Sequence, residues 1–214
     1  MTLKILNLYA GIGGNRKLWS GDIEVTAVEL NPEIAKIYQD FFPNDKVIVA
    51  DAHQYLLDHY KEFDFIWSSP PCQSHTLFNI LLIKGKGIKP RYPSMILYEE
   101  IVFLQHFFNG KYVVENVKGY YEPLIKPQEL YRHYFWSNFN IAKERYEKIL
   151  IYNKKGFATG KIKAEKRGLN IDDIKVTSID KRQVLNNMVN SKLGLHIFEC
   201  AFRVKQTTLN YEGN

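Results

Sequence analysis

Cys72 is the residue whose type and setting most invite chemistry. It follows the run Phe63-Asp64-Phe65-Ile66-Trp67-Ser68-Ser69 and the pair Pro70-Pro71, and Gln73 comes next. The run is apolar enough for a buried strand, and the two prolines end it, because neither donates to a ladder and each fixes its φ. A thiol is left at the carboxyl end of a strand, where open α/β sheets bind ligands. Taken alone, Pro-Pro-Cys is better described as a half-buried structural cysteine after a turn. Carboxylates in similar settings tip the reading towards a nucleophile. Glu29, Asp51 and Glu115 each follow an apolar stretch of strand character. A carboxylate at a strand end can accept ribose hydroxyls, and one beside a thiol can move a proton. For Asp51, capping of the next helix is a competing role.

These residues require a sheet to hold them. Leu3 to Tyr9 reads as a first strand that breaks into Ala10-Gly11-Ile12-Gly13-Gly14 before a helical stretch carrying Leu18 and Trp19. Such a turn lets backbone approach a nucleotide closely, although it lacks the full Gly-x-Gly-x-x-Gly spacing and any Gly-Lys-Ser/Thr. Glu24 to Val28 forms the second strand, and Pro32 opens a helix through Phe41. Lys46 to Ala50 forms the third strand, followed by a helix from Ala52 to Tyr60. The segment Gln73 to Pro93, with Gly85, Gly87, Pro90 and Pro93, reads as a mobile surface loop. Ser94 is placed to cap the next helix, which carries Ile96, Leu97, Ile101, Leu104, Phe107 and Phe108. Lys111 to Val114 is a fifth strand ending in Glu115-Asn116-Val117, and a right-handed crossover sets it parallel beside the Cys72 strand.

The totals bound the partners. A chain of 214 residues with 45% hydrophobic content suffices for one well-buried core. Nothing in it is apolar for long enough to cross a bilayer, and the start lacks a secretion signal, so a cytoplasmic protein is expected. Two cysteines, Cys72 and Cys200, and scattered histidines give no disulfide framework and no metal spacing. The net charge of +6 suits a polyanion. Basic residues crowd into Lys84, Lys86, Lys89 and Arg91, then into Lys154, Lys155, Lys161, Lys163, Lys166 and Arg167. With Gln73, the first group is the expected nucleic-acid contact.

Leu8-Tyr9-Ala10-Gly11-Ile12-Gly13-Gly14, Pro70-Pro71-Cys72-Gln73 and Glu115-Asn116-Val117, in this order and at these separations, resemble the signature blocks of the DNA (cytosine-5)-methyltransferases. The resemblance implies a doubly wound, mostly parallel α/β sheet of the Rossmann-like type that binds S-adenosyl-L-methionine and releases S-adenosyl-L-homocysteine. It implies cofactor contacts from Tyr9, Ala10, Gly11, Gly13, Gly14, Glu29, Leu30, Asp51, Ala52 and Pro70. Arg132-His133-Tyr134-Phe135-Trp136-Ser137-Asn138 is similar to the family's arginine-bearing strand, which makes Arg132 a candidate beside the catalytic pair. Asn186-Asn187-Met188-Val189 resembles a C-terminal block, with Asn187 and Val189 as cofactor contacts.

The implied chemistry is methyl transfer to carbon 5 of a flipped-out cytosine. Cys72 adds to carbon 6, Glu115 attends N3, and Asn116 holds the local backbone. The thiol pKa is expected to be depressed, because the thiolate is the reactive form. Two departures stand out: Ser74-His75-Thr76 follows the Cys-Gln pair, where the family usually has an aromatic followed by serine, and residues 139–181 are far shorter than a full target-recognition domain. A monomeric enzyme of one catalytic domain, 1–214, with 139–181 as a short insertion, is expected to act on DNA within a bacterial or phage restriction-modification setting. RNA as substrate, or a binding protein that has lost turnover, are the alternatives.

Overall fold

The computed structural model describes residues 1–87, 89, 92–143, 152–153, 156–157, 164, 171–177 and 180–202. Arg91 and the basic group Lys154, Lys155, Lys161, Lys163, Lys166 and Arg167 lie outside them. The centre is a seven-stranded sheet. Its strands are β1 (Leu3–Leu8), β2 (Ile23–Glu29), β3 (Lys46–Val49), β4 (Phe65–Ser68), β5 (Lys111–Val117), β6 (Gln128–Leu130) and β7 (His133–Ser137). The order across the sheet is β3-β2-β1-β4-β5-β7-β6. The first five run parallel, while β7 is antiparallel to both β5 and β6. The order reverses direction at β1 and β4, so the tips of these two strands flank the crevice where such sheets take ligands.

Alternation along the strands sorts side chains to two faces. Ile5, Val25, Phe65, Trp67, Val113 and Phe135 share one core, covered by Leu193, Ile197, Phe198 and Ala201 of the helix Ser191–Phe202. Leu6, Leu8, Val28, Ile66, Val114 and Trp136 share the other, covered by Leu56 of the helix Ala52–His59 and by Leu97, Ile101 and Leu104 of the helix Ile96–Phe107. Every residue of β4 is buried, as a strand covered on both faces requires. Each large side chain enclosed there contributes on the order of 2 kcal/mol.

In chain order the helices are α1 (Pro32–Phe41), α2 (Ala52–His59), α3 (Leu77–Lys86), α4 (Ile96–Phe107), α5 (Lys181–Asn187) and α6 (Ser191–Phe202). Among the described residues, no helix is long and apolar enough to cross a membrane. Pro32 stands at the first turn of α1, whose amides Glu33 N and Ile34 N are capped by the Asn31 side chain.

Three expectations are corrected. The segment after Cys72 contains α3, because Leu77 to Ile83 is rich in helix formers and Gly85 sits only at its last turn. Leu18 and Trp19 do not lie on an α-helix: a single 3-10 turn, Arg16–Leu18, leads Trp19 into the core, where it stacks on Phe198 at 5.1 Å. Met95, not Ser94, occupies the N-cap of α4, and Ser94 N donates instead to Ser74 Oγ at 3.0 Å.

Candidate active site

Residues of β5 and β7 and of the segment that follows β4 build the surroundings of Cys72. Strand β5 runs through Glu115 and Asn116 to Val117, because β7 pairs with this end and supplies a ladder. Glu115 is 6% exposed. Its neighbour Asn116 is buried, donates from Nδ2 to the Pro70 carbonyl at 2.9 Å, and accepts from Val117 N at 3.0 Å. The carbonyl of the first proline is thus tied to β5 two residues before the thiol. Past the prolines the chain turns sharply, with His75 N and Thr76 N both donating to the Cys72 carbonyl.

The thiol is half-buried. Burial, then the nearby negative charge of Glu115, push the Cys72 thiol above its ordinary range. The expected depression of its pKa is therefore corrected: among the described residues no cation compensates the sulfur, and enclosure disfavours the charged form.

Arg132 does not face this pair. It lies exposed in the turn between β6 and β7. His133, the first residue of β7, stands there instead, with Nε2 3.6 Å from Glu115 Oε1. That distance is an electrostatic contact rather than a hydrogen bond. His133 Nδ1 is buried and has no hydrogen-bond partner. The register explains the swap, since Val117 pairs with His133 and Glu115 with Phe135, so residues 133 and 135 share the face of Glu115. Two-residue alternation from the buried Phe135 was the available signal.

On the neighbouring strand tips, Glu29 accepts from Gly11 N through Oε2 and from Asn31 N through Oε1, both at 3.0 Å. Each carboxylate oxygen retains acceptor capacity for a further donor. Leu30, the next residue, is 67% exposed, an apolar side chain left outside the core beside that carboxylate. Gly11 has φ +55°, and a Cβ there would meet nothing within 4 Å, so its backbone borders open space. Gly13 and Gly14 serve a different purpose. A Cβ on Gly13 would fall 2.2 Å from the Phe42 ring, and one on Gly14 would fall 2.4 Å from the Val189 carbonyl. At these two the missing side chain makes room for the Phe42 ring and the Val189 backbone. The same contact brings the Asn187 to Val189 segment against the glycine turn; Asn187 is exposed and Val189 is buried.

Ala10 and Ala52 are buried in the core, leaving only their backbone to offer. Pro70 is likewise buried, with its carbonyl taken by Asn116. Asp51 Oδ1 caps α2 by accepting from Gln54 N at 2.9 Å, the competing role named for it. The Tyr9 side chain turns away from the glycine turn and donates to Glu100 Oε1 at 2.6 Å. The open face of Gly11, the two acceptor atoms of Glu29 and the uncovered Leu30 suit a nucleoside, with hydroxyls for the carboxylate and an apolar base for the leucine. Gln73, Lys84, Lys86 and Lys89 are exposed after Cys72, three of them cationic.

The model of the family described as C-5 cytosine-specific DNA methylase matches residues 3–123, a segment that holds Gly11, Glu29, Cys72 and Glu115 but not His133 or Asn187. A tRNA (cytosine(38)-C(5))-methyltransferase from Spodoptera frugiperda is 31% identical over 135 residues, which are 59% of this chain and 39% of that protein. A crystal structure of a DNMT2 mutant from the same organism is 32% identical, covers 56% of this chain and 37% of its own, and overlays with a TM-score of 0.41. A SAM-dependent methyltransferase from Agrobacterium tumefaciens is 14% identical, covers 56% and 40%, and overlays at 0.36. The chain thus spans 37–40% of the length of these three proteins.

Proposed function

Since the chain belongs to the C-5 cytosine-specific DNA methylase family, we propose that it methylates carbon 5 of cytosine in DNA, with Cys72 as nucleophile and Glu115 as proton carrier. The observation that supports this reading is the tie between the two: Asn116, next to Glu115, holds the Pro70 carbonyl, and the Glu115 charge reaches the Cys72 thiol. S-adenosyl-L-methionine, the methyl donor of the family, supplies an electrophilic methyl group when bound. Gly11, Glu29, Leu30 and the exposed Asn187 are the residues that would hold it.

The protein's own part begins with proton placement. Carbon 5 of cytosine is a weak nucleophile until a thiolate adds to carbon 6, which moves an electron pair towards carbon 5 and N3. Burial and the Glu115 charge favour the protonated Cys72 thiol, so the sulfur must give up its proton as it adds. Glu115 is the acceptor proposed for that proton, which it passes on to N3. Addition of Cys72 Sγ to carbon 6 and delivery of the Glu115 proton to N3 then leave no net charge on the ring. Once carbon 5 has been methylated, loss of its proton to a water molecule restores the double bond and expels Cys72 Sγ from carbon 6. Return of the N3 proton by way of Glu115 to the Cys72 sulfur restores the starting state.

The base must leave the stack to reach Cys72, at a cost of about a few kcal/mol. Gln73, Lys84, Lys86, Lys89 and Arg91 are the proposed phosphate contacts, and neutralising the four cations should flatten the salt dependence of DNA binding. With residues 139–181 in place of a recognition domain, limited sequence discrimination is expected. A second reading, the same chemistry on tRNA, is favoured by the identity with the Spodoptera enzyme. Transfer of labelled methyl to duplex DNA, single-stranded DNA and tRNA, with Cys72→Ala as control, tests both. Label in tRNA alone would replace the DNA reading, and label that persists in the control would remove Cys72 from its role.

A further inference from the structure

Glu100 is a carboxylate that the chemistry above leaves unused, yet it lies at the junction of the elements that build the site. It is 0% exposed, on the face of α4 that carries Leu97, Ile101 and Leu104. A lone buried carboxylate is costly unless fully partnered, and this one is well partnered. Oε1 accepts from Tyr9 Oη at 2.6 Å and lies 3.2 Å from His53 Nδ1, while Oε2 accepts from Ser68 Oγ at 2.5 Å. His53 also stands 3.7 Å from Glu99 Oε2, and its pKa is raised chiefly by the contact with Glu100.

The three partners come from three different elements. Tyr9 joins β1 to Ala10 and Gly11, and it adopts φ +53°, a left-handed conformation that a tyrosine takes only when its surroundings hold it there. Ser68 is the last residue of β4, immediately before the Ser69-Pro70-Pro71-Cys72 segment. His53 follows Asp51 at the start of α2. One carboxylate therefore fastens the donor-side turn, the nucleophile-bearing segment and the α2 start to a single point behind the sheet.

We infer that Glu100 is a positioning residue that sets the glycine turn and the Cys72 segment in register with each other, through Tyr9 on one side and Ser68 on the other. The inference rests on the reading of Gly11 and Glu29 as the donor site. It makes the two hydroxyls separable. Loss of the Tyr9 hydroxyl frees the strained turn and acts on donor affinity, whereas loss of the Ser68 hydroxyl acts on the thiol.

The test uses the full chain and two readouts that need no turnover: calorimetric affinity for S-adenosyl-L-homocysteine, and the rate of Cys72 alkylation by iodoacetamide. Tyr9→Phe is expected to weaken homocysteine-analogue binding about tenfold and leave alkylation as in the wild type, and Ser68→Ala to do the reverse. Glu100→Gln is expected to shift both, and Tyr9→Phe added to Glu100→Gln to weaken binding no further, because Tyr9 acts through Glu100. Multiplicative effects of Tyr9→Phe and Glu100→Gln, or wild-type values for both readouts in Glu100→Gln, overturn the inference. Should Glu100→Gln fail to fold, Tyr9→Phe and Ser68→Ala decide it, since each removes one oxygen, and equal effects of the two on both readouts overturn it. A wild-type chain with no affinity for the ligand removes the donor-site reading and this inference together; one that binds while the variants match it removes only the latter.

Discussion

Asn116→Ala is the perturbation whose size follows most directly from the geometry. The side chain makes two hydrogen bonds, one from Nδ2 to the Pro70 carbonyl and one to Oδ1 from Val117 N. Loss of both forfeits about 1 kcal/mol each, and a buried carbonyl left without a donor costs about 1–3 kcal/mol where water cannot reach it. A total of about 3–5 kcal/mol lowers Tm by roughly 6–20 °C for a chain of this size. Urea denaturation gives the free energy, and iodoacetamide alkylation of Cys72 reports whether the Pro70-Pro71 segment has loosened. Asn116→Asp sharpens the test. Its carboxylate still accepts from Val117 N but faces the Pro70 carbonyl with an acceptor, which raises the pKa of the introduced acid in the folded state. A group raised on folding contributes stability below its unfolded pKa and loses it as pH rises through the folded value. The Asp variant should therefore be closest to wild type in acid and fall away towards neutrality. A cost below about 1 kcal/mol for the alanine variant, or an Asp variant that parallels it at every pH, would refute the assigned link between β5 and the thiol segment.

Three further outcomes are expected. Because burial and then Glu115 raise the Cys72 thiol, Glu115→Gln should move the midpoint of alkylation against pH downwards, with burial keeping it above an exposed cysteine; an unchanged or higher midpoint contradicts the coupling. His133→Phe removes the imidazole beside the Glu115 carboxylate, and turnover should drop about 10–100-fold through misplacement of the carboxyl while S-adenosyl-L-homocysteine affinity is retained; steady-state kinetics with calorimetry check this. Gly14→Ala drives a Cβ to 2.3 Å from Met188 Cγ and 2.4 Å from the Val189 carbonyl. It should cost about 1–3 kcal/mol in thermal unfolding, whereas Gly11→Ala meets open space and should cost only about 1 kcal/mol for its positive φ while weakening donor binding.

The sheet was legible because its strands announce themselves at both ends. Apolar runs such as Phe65 to Ser68 are long enough to be buried on both faces, and Pro70-Pro71, Gly11 and the strand-end acids mark where each stops. What escaped lies where local pattern and tertiary context disagree. Helix α3 leaves Leu77 at 57% and Leu81 at 65% exposed, so its sequence lacks the stripe that identifies a packed helix, and the nearby glycines suggest a loop. Strand β6, three residues long, is too short to register as a period. His133 was concealed by reading a block of residues by likeness when alternation from Phe135 placed it on the Glu115 face. Glu100 was visible as a carboxylate three residues after Leu97 on an apolar helix face, but nothing local said which hydroxyls it would meet. The raised thiol pKa has no local signature, since its causes are enclosure and a carboxylate 43 positions further along.

Helix α6 covers the face of the sheet that carries Trp19, Phe65 and Trp67, and Val189 closes on Gly14 just before it. Both belong to the last portion of the described chain to leave the ribosome. Until they emerge, a nascent chain with all seven strands already made presents a wet aromatic surface and an unwalled glycine turn. The interval before they emerge is when the growing polypeptide exposes this core to water and to other chains.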